Sequence, residues 1–103
     1  MTIQVPSALL DACVLALVAR GDTYGYSLTQ DVKRTLDVSE STLYPVMRRL
    51  QTDGFLDTYD KPHNGRNRRY YKITDSGLKK YRSYQQEWKM FKDKIDKIVG
   101  GKA

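Results

Sequence analysis

One cysteine, one histidine and no apolar run longer than eight residues are the first constraints set by this 103-residue sequence. Cys13 alone can close neither an intrachain disulfide nor a metal cluster, which suits a reducing compartment, and its place inside the run Ala12 to Ala19 reads as an inert, packed thiol. That run falls far short of the ~20 apolar residues needed to cross a bilayer, and the N-terminus lacks a charged stretch followed by a cleavage site, so no membrane partner and a cytoplasmic location are expected. Catalytic patterns are missing too: there is no HExxH, no cysteine pair, no glycine-rich phosphate loop and no GxSxG. His63 sits among basic residues rather than beside a carboxylate, so it reads as a polar turn residue within reach of phosphate, not as a general base. These absences argue against an enzyme and predict neither cofactor nor metal.

Acidic residues are also absent where basic ones gather. The chain is formally +6, yet from Met1 to Asp60 it has five basic residues against eight acidic, whereas Lys61 to Lys72 has five basic (Lys61, Arg66, Arg68, Arg69, Lys72) and no acidic one. A field of that sign on a turn expected to project into solvent is a footprint for a polyanion; taken alone, a solvated loop kept soluble by arginine explains it as well. Position separates the two readings. The basic stretch follows at once on a capped helix, Ser39 to Gly54, and the tip of the ensuing hairpin is expected at His63 to Arg69. A helix that fits the major groove, followed by a basic ribbon that reaches neighbouring phosphates or the minor groove, is the order in which a winged helix meets DNA.

A chain of this length makes one domain with a modest core, near the size at which association often completes the fold. With Pro6 at a first helical position, Ser7 to Arg20 forms a helix whose Leu9, Leu10, Cys13, Val14, Leu17 and Val18 cover most of its surface before Gly21 stops it, so it faces its own core and a second surface, a partner chain being one candidate. Asp22 or Thr23 is expected to cap a second helix, with Tyr24, Leu28, Val32 and Leu36 on one face and Asp37-Val38 as the turn after it. In the third helix Leu43, Val46, Met47 and Leu50 face the core, and Ser41, Thr42, Tyr44, Arg48 and Arg49 fall on or near the opposite side. Pro45 costs little if that helix starts near Ser41 and more if it starts at Ser39, so its first turn stays open between the two. Gly54 suits a left-handed stop, Phe55 to Tyr59 has strand composition, Asn64-Gly65 is a hairpin turn, and Arg69 to Thr74 pairs back as the second strand.

Thr74 or Asp75 then caps a last helix, expected to run to about Ile98 before Gly100-Gly101. Along it Tyr81, Tyr84, Trp88, Phe91, Ile95 and Ile98 are spaced three, four, three, four and three residues apart, which is an a/d seam that wants another helix against it. The expected fold is therefore mainly α with a small β-hairpin: a winged helix-turn-helix over residues 1–74 and a C-terminal dimerisation helix over 75–103. Leu9, Tyr81, Tyr84, Trp88, Phe91 and Ile95 are the expected dimer contacts.

Three blocks resemble the PadR family of bacterial transcriptional regulators: Tyr24-Gly25-Tyr26, then Ser41-Thr42-Leu43-Tyr44-Pro45-Val46-Met47-Arg48-Arg49-Leu50 with Asp53-Gly54-Phe55-Leu56, then Arg69-Tyr70-Tyr71-Lys72-Ile73-Thr74-Asp75-Ser76-Gly77. The single short C-terminal helix is similar to the smaller PadR subfamily. The resemblance implies a homodimeric repressor of double-stranded DNA on an inverted repeat, with Tyr26, Ser41, Thr42, Tyr44, Arg48, Arg66 and Arg68 where members meet DNA. Charge and chemistry divide the labour in the same way. Arg66, Arg68, Lys61 and Asn64 suit phosphate or minor-groove contact, and Ser41 and Thr42 suit base edges. Tyr44 either bonds a phosphate through its hydroxyl or packs on the core with that hydroxyl free, and Arg49 and Arg69 are weaker candidates. Some small PadR-like regulators hold flat hydrophobic molecules between paired indoles, so Trp88 reads either as plain dimer core or as the wall of a site for a planar hydrophobic effector. The competing function from another class is a winged-helix module that binds protein.

Overall fold

The computed structural model describes residues 4–100; the expected stop at Gly101 lies outside the described residues. Four α-helices and three strands follow in the order α1 (Ser7–Ala19), β1 (Thr23–Tyr24), α2 (Gly25–Leu36), α3 (Glu40–Thr52), β2 (Leu56–His63), β3 (Arg66–Ile73) and α4 (Asp75–Ile95), with a closing π turn at Asp96–Gly100. The core is made where α1, α2 and α3 meet the inner face of the sheet: Val14, Leu15, Leu28, Leu43, Met47 and Leu56 are fully buried. All four apolar residues expected to turn inward from α3 are in that core. Leu15 joins it although it lies outside the apolar set read from the sequence, while Leu9, Cys13 and Leu17 are only half-buried.

Two caps fix the ends that matter most for the binding face. Ser39 is the N-cap of α3, its Oγ accepting from the Thr42 N–H at 3.2 Å, which settles the helix start at Glu40 and places Pro45 beyond the first turn. Pro45 has no N–H, so the Ser41 carbonyl loses its helical partner, a cost set against roughly 1 kcal/mol from the cap. At the start of α4, Thr74 Oγ1 accepts from the Gly77 N–H at 3.0 Å and its O–H donates to the Gly54 carbonyl at 2.7 Å, tying the helix to the loop before β2.

Three sequence expectations are corrected. Neither Asp22 nor Thr23 caps α2: Thr23 and Tyr24 are a short strand paired with Tyr71 and Tyr70, and α2 starts at Gly25 without a side-chain cap. Tyr24 consequently leaves the face it was assigned with Leu28, Val32 and Leu36. The hairpin tip is Asn64-Gly65 alone, both with positive φ (51° and 78°), so the ladder reaches His63↔Arg66, and Arg66, Asn67 and Arg68 extend the strand expected from Arg69 instead of belonging to the tip. A two-residue turn of that kind matches the twist of its strands and allows pairing up to the turn. Pro62 is tolerated within β2 because that strand is an edge of the β1-β3-β2 sheet. Finally, α-helical geometry ends at Ile95, three residues before the expected end.

The last helix gives the molecule its shape. Its Cα radius of gyration is 15.4 Å, above the ~13 Å typical of a domain of about this length, because α4 extends the long axis to 59 Å. Tyr81 and Tyr84 pack on the core beside α1, and beyond them Trp88, Phe91, Ile95 and Ile98 are exposed in the single chain.

Candidate nucleic-acid interface

Side chains alternate along β2 and β3, so the register sorts the wing into two faces. Tyr59, Lys61 and His63 share one with Arg66, Arg68 and Tyr70; Asp60 and Pro62 share the other with Asn67, Arg69 and Tyr71. Because β1 pairs with only two residues of β3, the β3 edge from Arg66 to Arg69 is left open on that side, and the start of α2 lies beside it. There three elements converge. Tyr24, Gly25 and Tyr26 from the β1–α2 junction, Tyr44 and Arg48 from α3, and Asn67, Arg68 and Arg69 from β3 line one groove of ≈ 530 Å³. A smaller groove of ≈ 380 Å³ adjoins it, between Tyr24, Tyr26 and the tip residues His63, Asn64, Arg66, Asn67 and Arg68.

Of the residues singled out from sequence, Tyr26, Tyr44, Arg48 and Arg68 are thus brought to one groove, and Asn64 and Arg66 to its neighbour. Tyr26 and Tyr44 are 57% and 42% exposed, which leaves their hydroxyls open to a ligand. Ser41 and Thr42 are exposed on the first turn of α3, with hydroxyls 3.0 and 2.9 Å from Ser39 Oγ, so they form a short polar cluster at the helix start. Lys61 stands apart on the outer wing face, its Nζ 5.6 Å from the centre of the Tyr70 ring. The Asn64 amide is 3.2 Å from His63 Nε2. Tyr71 forms the floor between α3 and the wing, and burial pushes its phenol pKa up, partly opposed by the Arg69 charge.

Arg49 departs from the outward set of α3. Its guanidinium turns back to Asp11 of α1 in a bidentate pair at 2.5 and 3.0 Å, and the Tyr84 hydroxyl of α4 donates to the same carboxylate at 3.3 Å. The Asp11 side chain is 9% exposed, so this pair holds α1, α3 and α4 together around one buried charge. Hydrogen bonding to Asp11 raises the pKa of Arg49, which stays cationic; burial, then Asp11, raises that of Tyr84. One permanent cation of α3, Arg48, remains directed at the groove.

Sequence reasoning missed an aromatic row on the outer wing face. Tyr24 lies 6.0 Å from Tyr70, Tyr70 stacks on Tyr59 at 5.5 Å and 13°, and the Tyr59 hydroxyl donates to Asp22 at 2.7 Å. That hydrogen bond raises the Tyr59 pKa. Only the register across three strands brings these rings together, and the two-residue β1 has no signal of its own in the sequence.

A separate groove, of ≈ 470 Å³, runs between α1 and α4 and is lined by Leu9, Ala12, Cys13, Tyr84, Gln85 and Trp88 among others. Burial raises the pKa of the Cys13 thiol there, which disfavours the reactive thiolate. Among the described residues no group of three or more histidine, cysteine or carboxylate side chains is placed to hold a metal, and no helix is long and apolar enough to cross a membrane.

Comparison with known proteins places this geometry among regulators. Residues 14–83 match the model of the transcriptional regulator PadR-like family. The crystal structure of smu.1704 from Streptococcus mutans is similar over 100% of this chain and 97% of its own, at 41% identity and a TM-score of 0.90. A PadR-like transcriptional regulator from Bacillus cereus is similar at 29% identity and a TM-score of 0.82, covering 91% of this chain and 94% of its own. The transcriptional regulator Rv3488 of Mycobacterium tuberculosis is 38% identical over 65 residues, 62% of this chain and 61% of its own.

Proposed function

The chain belongs to the PadR-like family of transcriptional regulators, and on that footing we propose that it is a homodimeric, cytoplasmic repressor that binds an inverted-repeat operator. It is a regulator and not an enzyme. The observation that carries the DNA reading is the convergence of Tyr26, Tyr44, Arg48 and Arg68, from three separate elements, on one open groove beside α3. In this reading Ser41, Thr42 and Arg48 face base edges from the major groove, while Lys61, Asn64, Arg66 and Arg68 on the wing, with the hydroxyls of Tyr26 and Tyr44, take phosphates or the minor groove. Residues 1–74 form the reading unit and 75–103 the dimerisation arm. In that arm Tyr81, Tyr84, Trp88, Phe91 and Ile95, together with Leu9 of α1, meet the second copy. The apolar groove beside Trp88 is where a planar hydrophobic effector would sit and release the repressor.

The test is a salt titration. The pair Arg66→Ala and Arg68→Ala is expected to lower affinity for a duplex from the chain's own upstream region by about tenfold or more at moderate salt. The plot of log affinity against log salt should flatten by up to about two, one for each phosphate that is no longer neutralised. Unchanged affinity and slope would leave the protein-binding reading of the winged helix in its place.

A further inference from the structure

Resting on the DNA-binding reading, we infer that Tyr24 is a positioning residue that holds the Arg68 guanidinium over its ring and so presets the wing for its contact with DNA. The Arg68 Cζ lies 4.3 Å from the centre of the Tyr24 ring, closer than any other cation to a ring among the described residues. These two side chains, with Tyr26 and Asn67, form the wall shared by the two grooves beside the wing. A free arginine carries much rotamer entropy, which a DNA contact would have to remove. Contact with the ring removes part of it beforehand, and a cation–π contact leaves the N–H groups that are turned away from the ring available for phosphate or base oxygens.

The ring itself is held from behind. Tyr24 is locked by its β1–β3 pairing to Tyr70, and the row continues through Tyr59 to the Asp22 carboxylate, so the platform under Arg68 is braced across all three strands. Arg66, two residues along the same face, has no ring beneath it among the described residues and lacks this support. No hydrogen bond of the Tyr24 hydroxyl is found among the described residues, so the ring and not the phenol does the positioning.

Affinity for the same upstream duplex, measured by fluorescence anisotropy with thermal melting as the folding control, separates the outcomes. Arg68→Ala is expected to weaken binding about tenfold. Tyr24→Leu should weaken it about fivefold, whereas Tyr24→Phe stays within about twofold of the parent. In the Arg68→Ala background Tyr24→Leu should add nothing, because the ring acts through that arginine. Arg68→Lys keeps the charge and the ring and should lose about threefold, which keeps the inference readable if Tyr24→Leu folds poorly. The inference is overturned if Tyr24→Leu binds as the parent does, if its loss persists undiminished without Arg68, or if Arg68→Lys is neutral. If Arg68→Ala itself has no effect, the DNA-binding role of the wing falls, and the inference falls with it.

Discussion

Gly77→Ala is expected to cost about 3 kcal/mol or more of folding stability and to lower the melting temperature by well over ten degrees, the largest effect of a methyl added at any described glycine. Gly77 is buried in the first turn of α4, where its N–H is held by Thr74. A Cβ there would overlap the backbone carbonyl oxygen of Phe55 and press on Ile73 Cγ1 at 2.7 Å. Backbone cannot swing away as a side chain does. The Phe55 carbonyl is also pinned, since it accepts from the Thr74 N–H at 3.2 Å. Relief would require α4 to lift from the loop between α3 and β2, breaking the joint between the sheet and α4. Thermal or urea unfolding measures the loss directly. A variant as stable as the parent would mean that this close approach is not maintained in solution.

The second large effect is on assembly. Trp88→Glu is expected to yield a folded monomer by analytical ultracentrifugation and to weaken operator binding on the order of a hundredfold, because two half-sites can no longer be held by one linked pair of readers. Trp88 is 43% exposed in the single chain and Phe91 53%, and with Ile95 and Ile98 they leave an apolar stripe uncovered along the projecting half of α4 and the π turn after it. A charge placed at the start of that stripe, on a side chain already open to solvent, costs the monomer little and is costly between two copies. A variant that remains dimeric would locate the interface elsewhere.

Much of the site was legible because the relevant signals are local. A Ser cap, the helical spacing of Leu43, Val46, Met47 and Leu50, and Asn64-Gly65 each act within a few residues, and α3 and the hairpin follow from them. What stayed hidden depends on contacts distant in sequence. Asp11 carries no local signal in the sequence, and the fold brings Arg49, 38 residues away, and Tyr84, 73 residues away, to its oxygens. Arg49 escapes a local reading for the same reason: helical spacing places it on or near the outward side, and its long side chain reaches back. The aromatic row was invisible because β1 is two residues long and borrows its conformation from β3. The length of the wing could have been read, since a two-residue turn at Asn64-Gly65 already requires His63 to pair with Arg66.

The central claim is that a basic wing and the α3 helix beside it, presented twice about a twofold axis, grip DNA. Nuclease footprinting of the purified protein on its own upstream region tests it most directly. The account predicts two protected half-sites of inverted sequence, centred about one helical turn apart, near ~34 Å, with protection that fades as salt rises. A single protected patch without symmetry, or no protection at low salt, would contradict it.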